Sequence, residues 1–122
     1  MRLIRSPLAL LVYTDRLVPS GSDSFTPGPV ILMRPPCADD HALLEHELTH
    51  VRQFWRSCGV LTLLWLVSKR WRLRLEVEAY RVQIACYPLD RQHWVRDTCA
   101  MRLANGYRLG ITTEEAKALL MG

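Results

Sequence analysis

The sequence predicts an α+β fold in which a small N-terminal β-sheet packs on a predominantly helical body. Three observations favour this class: β-type apolar runs occupy only the first third of the chain, apolar residues at helical spacing occupy the remainder, and proline or glycine separates most segments. With 122 residues, 49% of them hydrophobic, the chain is long enough for one core and short for two. We therefore expect residues 1–122 to form a single domain.

Two strands are predicted near the N-terminus. Residues 3–13 are rich in Leu, Ile, Val and Tyr, and the segment that follows them, VPSGSDSFTPGP, has the composition of a loop. Residues 29–36 (PVILMRPP) form a second β-type run, whose closing prolines cannot continue a hydrogen-bonded ladder. This second strand is expected at the edge of the sheet.

Helices are predicted for the rest of the chain. The segments, in order, are 41–57, a short apolar connector or helix at 60–67, 69–87, 90–104 and a last helix that begins near residue 112. Asp39 or Asp40 is the expected N-cap of the first helix. Thr112 and Glu115 have the spacing of a capping box at the start of the last one.

Charge and cysteine content limit the classes of function. The 16 Lys and Arg residues against 12 Asp and Glu give a net charge of +4, which favours acidic partners. The basic run at residues 69–74 has no aromatic stacking platform or recognised nucleic-acid module beside it, so it is expected to be a solvated helix face. The four cysteines are spaced too irregularly for a zinc ribbon, and we expect reduced, mostly buried thiols.

The two most apolar segments do not predict membrane insertion. The N-terminal run is short and lacks a small-x-small cleavage site, so we expect a cytoplasmic protein without a signal peptide. Residues 60–67 (VLTLLWLV) are far fewer than the roughly 20 that a membrane-spanning helix needs. They are expected in the core, with contact to a protein partner or to a membrane surface as the alternative. The four tryptophans are also expected in the core.

The first predicted helix carries the motif HELTH, residues 46–50. On a helix, His46 and His50 lie within about 40° of each other, so their imidazoles can converge on one ion. Glu47 points too far around the helix axis from the histidines to bind the same ion, but it is close enough to accept a proton from a metal-bound water. This pattern indicates a zinc hydrolase. The predicted core stripe of the same helix consists of Leu44, Leu48, Val51 and Trp55.

The third predicted helix offers two carboxylates as a third ligand. Glu78 stands four residues after Arg74 and three before Arg81, which predicts a paired charge on the open side. Glu76 lies between two apolar faces, where a carboxylate is costly unless a metal ion, or alternatively Arg72, compensates it. Glu76 is therefore favoured, and Glu78 remains the alternative.

Other ligand sets fit the sequence less well than these carboxylates. A metzincin would have Gly and His where this chain has Gln53 and Arg56, so that family is excluded. Cys37, a thiolate donor nine residues before the motif, is a minor alternative. His41 is expected on a different face of the helix, without a role.

HELTH, followed after 25 residues by EVEAY (76–80), resembles the gluzincin metallopeptidases, particularly single-domain members whose second helix carries E-x-x-A-D. The resemblance implies a zincin-like fold, zinc as cofactor, a peptide or protein substrate and Glu76 as third ligand. Tyr80 replaces the aspartate that usually orients a ligand histidine, and a phenol is a weaker orienter. The resemblance also implies a strand that binds extended substrate along the cleft, for which residues 29–34 are expected.

The expected function is zinc-dependent hydrolysis of peptide bonds by a metal-activated water, with Glu47 as general base. In the resembled family, a Tyr, His or Arg outside the metal shell stabilises the oxyanion, and Tyr80, His93 and Tyr107 are unranked candidates. One alternative is a catalytically weak or inactive zinc-binding interaction module of the same fold. Another is a basic interaction protein without metal.

Overall fold

A four-stranded sheet and five α-helices make up residues 1–121, the part of the chain that the computed structural model describes, and the α+β class is confirmed. The strands are β1 (Arg2–Arg5), β2 (Leu8–Tyr13), β3 (Ser24–Phe25) and β4 (Val30–Met33). The helices are α1 (His41–Arg56), α2 (Val60–Val67), α3 (Lys69–Ala85), α4 (Gln92–Gly106) and α5 (Thr113–Met121).

The sheet differs from the predicted one in two respects. Residues 3–13 do not form one strand, because a turn at Ser6 and Pro7 separates β1 from β2 and the two strands pair antiparallel. Proline has no N–H group to continue the ladder, which explains the break. The strand order is β1-β2-β4-β3, so β4 lies inside the sheet and the edge prediction for 29–36 is wrong. β4 runs parallel to β2 and antiparallel to β3, the short strand that forms the edge.

Two hydrophobic clusters flank the pairing of α1 with α3. The first joins the sheet to α1 and comprises Ala9, Leu11, Ile31, Met33, Leu43, Leu48 and Val51. The second joins α3, α4 and α5 through residues that include Ile84, Cys99, Leu103 and Leu120. Each fully buried aliphatic side chain contributes about 1.5–3 kcal/mol to folding. α1 and α3 are thus each held by a separate core, and their mutual interface lies between the two.

Local signals fix the helix starts as predicted. The Asp40 carboxylate accepts from the Leu43 N–H at 3.0 Å and caps α1. The Thr112 hydroxyl and the Glu115 carboxylate each accept from the other's backbone N–H, so the capping box before α5 is confirmed. Between α1 and α2, Gly59 has φ +88°, a left-handed conformation that only glycine adopts without strain, and the chain turns there.

Several burial predictions are wrong. Trp55 and Trp94 are 46% and 65% exposed, and the Trp55 indole donates to the Leu8 carbonyl at 2.8 Å because the edge of α1 meets the β1–β2 hairpin there. All four cysteines are free, but only Cys99 is buried, whereas Cys58 and Cys86 are exposed at helix ends. Within residues 1–121, no helix combines the length and the apolar character needed to cross a membrane.

Candidate metal centre

Three side chains of α1 form a group that could hold a metal ion. The candidate ligand atoms of His46, Glu47 and His50 all lie within 4.8 Å of one another. The four-residue spacing of the histidines places them on one side of the helix, as predicted. His46 and Glu47 are buried and His50 is half-buried, so the group lies inside the protein rather than on its surface.

Glu76 of α3 faces the same two histidines. Its Oε1 lies 3.3 Å from Nε2 of His46 and its Oε2 lies 3.0 Å from Nε2 of His50. Glu47 is farther away, with its Oε1 3.8 Å from Nε2 of His46. Neighbouring ligand atoms around a tetrahedral zinc ion with bonds of about 2.0–2.1 Å lie about 3.3 Å apart. Each distance from Glu76 to a histidine is close to this value, and a different oxygen of the carboxylate faces each histidine.

Glu76 and His50 shift each other's pKa values because they are buried together. Glu76 is only 2% exposed, and burial would raise the pKa of its carboxyl, but His50 and His46 hold that pKa well below its usual range. Burial would lower the pKa of His50, yet the Glu76 carboxylate raises it to about 9. Without a metal, His50 and Glu76 therefore form a buried ion pair, and a metal ion that binds Nε2 must displace the proton of His50.

Arg72 does not neutralise Glu76. Its guanidinium donates to the backbone carbonyls of Trp65 at 2.8 Å, Leu66 at 3.0 Å and Tyr107 at 3.0 Å. The only non-histidine donor to the Glu76 carboxylate, among residues 1–121, is the Trp65 indole N–H at 2.8 Å from Oε2. The arginine alternative from the sequence therefore does not account for this buried carboxylate.

Glu78 is a paired surface charge, although its partner differs from the prediction. Its carboxylate accepts from the Arg56 guanidinium at 3.2 Å and from the Gln53 amide at 2.7 Å, both on α1. Arg74 instead lies over the Trp71 ring, and Arg81 donates to the backbone carbonyl of Leu119. The predicted pairing with Arg74 and Arg81 is wrong because the neighbouring helix supplies a closer cation.

Gln53 orients His50, a role that sequence reasoning missed. The Gln53 amide nitrogen donates to the Leu75 carbonyl and to Glu78, which leaves its Oε1 to face His50 Nδ1 at 2.8 Å. Nδ1 must then carry the proton of a neutral His50, and Nε2 is free for a metal. The i, i+3 spacing from His50 to Gln53 is the signal that could have revealed this contact.

Tyr80 contacts His46 with its ring rather than with its hydroxyl. The two rings pack edge to face with centroids 4.4 Å apart, while the Tyr80 hydroxyl pairs with that of Tyr107 at 2.7 Å. The Tyr80 hydroxyl therefore does not take the orienting role of the replaced aspartate, and within residues 1–121 His46 Nδ1 has no hydrogen-bond partner. Burial and the Glu76 charge raise the pKa of both phenols, which keeps them protonated.

The structure leaves three other sequence candidates outside the centre. His93 is exposed on α4, where its ring tilts against Trp94, and it does not line the cavity described below. His41 is the exposed first residue of α1, as expected. Cys37 packs, half-buried, against the sheet cluster and is not part of the group that could hold a metal ion.

A cavity of about 720 Å³ lies against the centre. Its walls come from the segment around β3, from the first three helices and from the end of α4, and they include Trp65, Arg102 and Tyr107. Residues 29–34, the expected substrate strand, do not line it; the preceding segment does, because β3 covers the outer side of β4. Thr26, which sequence reasoning missed because it lies in a loop, donates its hydroxyl to Glu47 Oε2 at 2.7 Å.

The chain matches no family model, and no curated protein or solved structure is significantly similar to it. The interpretation of the centre therefore depends on its own residues. His46, Glu47 and His50 form a group that could hold a metal ion, and Glu76 faces both histidines across the α1–α3 interface.

Proposed function

We propose that this protein is a zinc-dependent peptide hydrolase, with His46, His50 and Glu76 as metal ligands and Glu47 as general base. One observation carries the proposal: the Glu76 carboxylate is buried, faces Nε2 of both histidines at 3.0–3.3 Å and forms no ion pair with an arginine or lysine of residues 1–121. A buried carboxylate between two imidazoles requires a positive charge, which a protonated His50 or a bound metal ion supplies, and two nitrogens plus one carboxylate oxygen are a common catalytic zinc set.

Zinc, when bound, would activate a water molecule and polarise the scissile carbonyl. Glu47 follows His46 in sequence, and its Oε1 points towards His46 Nε2 at 3.8 Å. Its Oε2 accepts the Thr26 hydroxyl, which fixes the orientation of the carboxylate against the cavity wall. One oxygen of Glu47 is thus held by the protein, and the other is left to take the proton.

The tyrosine pair supplies a donor for the transition state. Tyr80 and Tyr107 share one hydrogen bond between their hydroxyls, so one of the two phenolic protons is engaged and the other can donate to a substrate oxygen. Both residues line the cavity, and both stay protonated because burial raises the pKa of each. We propose this pair, rather than His93, as the oxyanion stabiliser.

An extended peptide is the substrate that the cavity wall favours. β3 is an edge strand of the sheet, and no strand of residues 1–121 pairs with its outer side. Ser24, Phe25 and Thr26 line the cavity, so a peptide that paired with this edge would pass the metal centre. Strand addition here replaces the role that the sequence predicted for residues 29–34.

The test replaces Glu47 by Gln and measures both zinc content and cleavage of fluorescently labelled casein. Glu47→Gln should retain zinc and lose at least about a hundredfold of the cleavage rate, since general-base catalysis typically supplies 10²–10⁴-fold. Glu45→Gln is the matched control, because Glu45 lies on the same helix and only faces Arg52 at 3.9 Å. Cleavage that persists in Glu47→Gln contradicts the proposed base.

A zinc-binding module without efficient catalysis is the second candidate, and one observation favours it. His46 Nδ1 is buried and has no hydrogen-bond partner among the described residues, whereas ligand histidines usually have an orienting acceptor there. A wild-type protein that holds zinc and cleaves no peptide would support this candidate. The third alternative, a basic interaction protein without metal, would have the ion pair between His50 and Glu76 as the compensation for this buried carboxylate.

A further inference from the structure

α2 exposes an apolar face beside the metal centre. It has no buried residue, although seven of its eight residues, VLTLLWLV, are apolar. The exposed set consists of Val60, Leu63, Leu66 and Val67, each more than half exposed. On a helix these four fall within an arc of about 120°, so they form one continuous surface.

The orientation of α2 is fixed by its opposite face. Trp65 is half-buried there and donates its indole N–H to Glu76 at 2.8 Å, and its ring lies under the Arg72 guanidinium at 5.2 Å. Rolling the helix to bury its aliphatic residues would break the contact with Glu76. The exposed face is therefore imposed by the fold.

The segment of the chain that carries this face contains only positive charges. Residues 48–75 contain six Lys and Arg residues and no Asp or Glu, whereas the remainder of the chain has ten basic and twelve acidic residues. Lys69 and Arg70 are the first two residues of α3, one residue after α2 ends; both are exposed, and neither forms an ion pair within residues 1–121. The basic excess of the protein is thus concentrated in the segment that carries the apolar face.

We propose that the α2 face docks on the surface of an anionic lipid bilayer. The face offers no side-chain hydrogen-bond donor or acceptor, whereas protein interfaces carry about one hydrogen bond per 100–200 Å². Aliphatic side chains fit between acyl chains, and Lys69 and Arg70 would meet the lipid phosphates. An eight-residue helix is too short to span, so α2 lies in the plane of the interface.

Docking would bring the cavity close to the bilayer. Thr62, Trp65 and Leu66 belong to α2 and also line the cavity. The inference uses no property of the metal and stands apart from the proposed hydrolysis. If both hold, the substrates are peptide segments near a membrane surface.

The experiment is flotation of the full chain with lipid vesicles on a density gradient. The protein should float with vesicles of phosphatidylcholine mixed with phosphatidylglycerol, and much less with phosphatidylcholine alone. Binding should weaken as salt is added, because exposed charges are screened. The double variant Leu63→Gln/Val67→Gln should bind anionic vesicles at least about tenfold more weakly than the wild type. The double variant Lys69→Gln/Arg70→Gln should bind them about thirtyfold more weakly at low salt.

Leu17→Gln with Leu89→Gln is the matched control and should bind like the wild type, because both residues are exposed aliphatics outside residues 48–75. Three results would overturn the proposal. One is absence of flotation with anionic vesicles. Another is flotation of the Leu63/Val67 variant to the same extent as the wild type. The third is self-association of the chain that this variant abolishes without any vesicle binding, which would identify a second copy as the occupant.

Discussion

Two adjoining regions of this molecule invert the usual distribution of polar and apolar side chains. Between α1 and α3, titratable groups that include His46, Glu47 and Glu76 are buried, while α2, packed against both helices, exposes Leu63 and Val67. Buried charge and exposed aliphatic surface are each unfavourable unless a ligand compensates them. We infer that each region suits a different ligand: a cation between α1 and α3, and an apolar, anionic surface against α2.

The largest expected effect is that of zinc on stability. A ligand about a thousandfold above its Kd stabilises a folded protein by about 4 kcal/mol, which for a domain of this size raises Tm by about 10–20 °C. Thermal unfolding with excess zinc and with EDTA measures the difference. His50→Ala should abolish the shift, because it removes one ligand. Equal Tm values with zinc and EDTA would show that the buried charge is not a metal site.

The metal-free protein should lose stability as pH rises above neutral. Burial opposes the protonation of His50, but Glu76 raises its pKa from 6.5 to about 9. Since the folded-state pKa is the higher one, this stabilisation is complete below about pH 6.5 and is lost as pH rises through about 9. Its size is on the order of 3 kcal/mol. Urea unfolding in EDTA on both sides of that range measures it, and Glu76→Gln should flatten the dependence.

Replacement of Gln53 should weaken metal binding without removing a ligand. Gln53→Ala deletes the acceptor that orients His50, and loss of such a contact typically costs 10–100-fold in metal affinity. Competition with a zinc chelator measures this affinity. Arg56→Ala is the control, because it breaks only the exposed pair with Glu78. If both variants bind zinc like the wild type, Gln53 does not set the geometry of His50.

The smallest expected effect concerns Thr26. Thr26→Val removes the hydroxyl that donates to Glu47 and should slow casein cleavage about tenfold, the equivalent of one hydrogen bond of about 1 kcal/mol or slightly more. Zinc content should not change, since Thr26 does not face the histidines. Thr26→Ser keeps a hydroxyl and should recover most of the rate; a serine variant as slow as the valine variant would assign the effect to packing instead.

The sequence predicted those parts of the centre that local geometry determines. His46 and His50 lie on one helix, and the four-residue spacing alone places their rings together. Asp40 and Thr112 cap helices through neighbours three residues away. The apolar faces of α3 also separate a buried Glu76 from a more exposed, paired Glu78, although the cation beside Glu78 is Arg56 and not Arg74 or Arg81.

Contacts between distant segments could not be predicted in the same way. Glu78 pairs with Arg56 of α1 rather than with its own helix, because tertiary packing brings a closer cation. β3 has only two residues and no periodicity, so its pairing with β4, and with it the position of Thr26, depends on the fold. The exposed face of α2 follows from the Trp65 contact with Glu76, whereas hydropathy alone predicted a core segment.

The most direct test of the central claim compares zinc stoichiometry in two matched variants. Glu76→Gln and Glu78→Gln change the same chemistry two residues apart, and only Glu76 faces the histidines. Plasma mass spectrometry of dialysed protein should find stoichiometric zinc in the wild type and in Glu78→Gln, and little in Glu76→Gln. Zinc missing from the wild type, or retained fully by Glu76→Gln, would contradict the proposed centre.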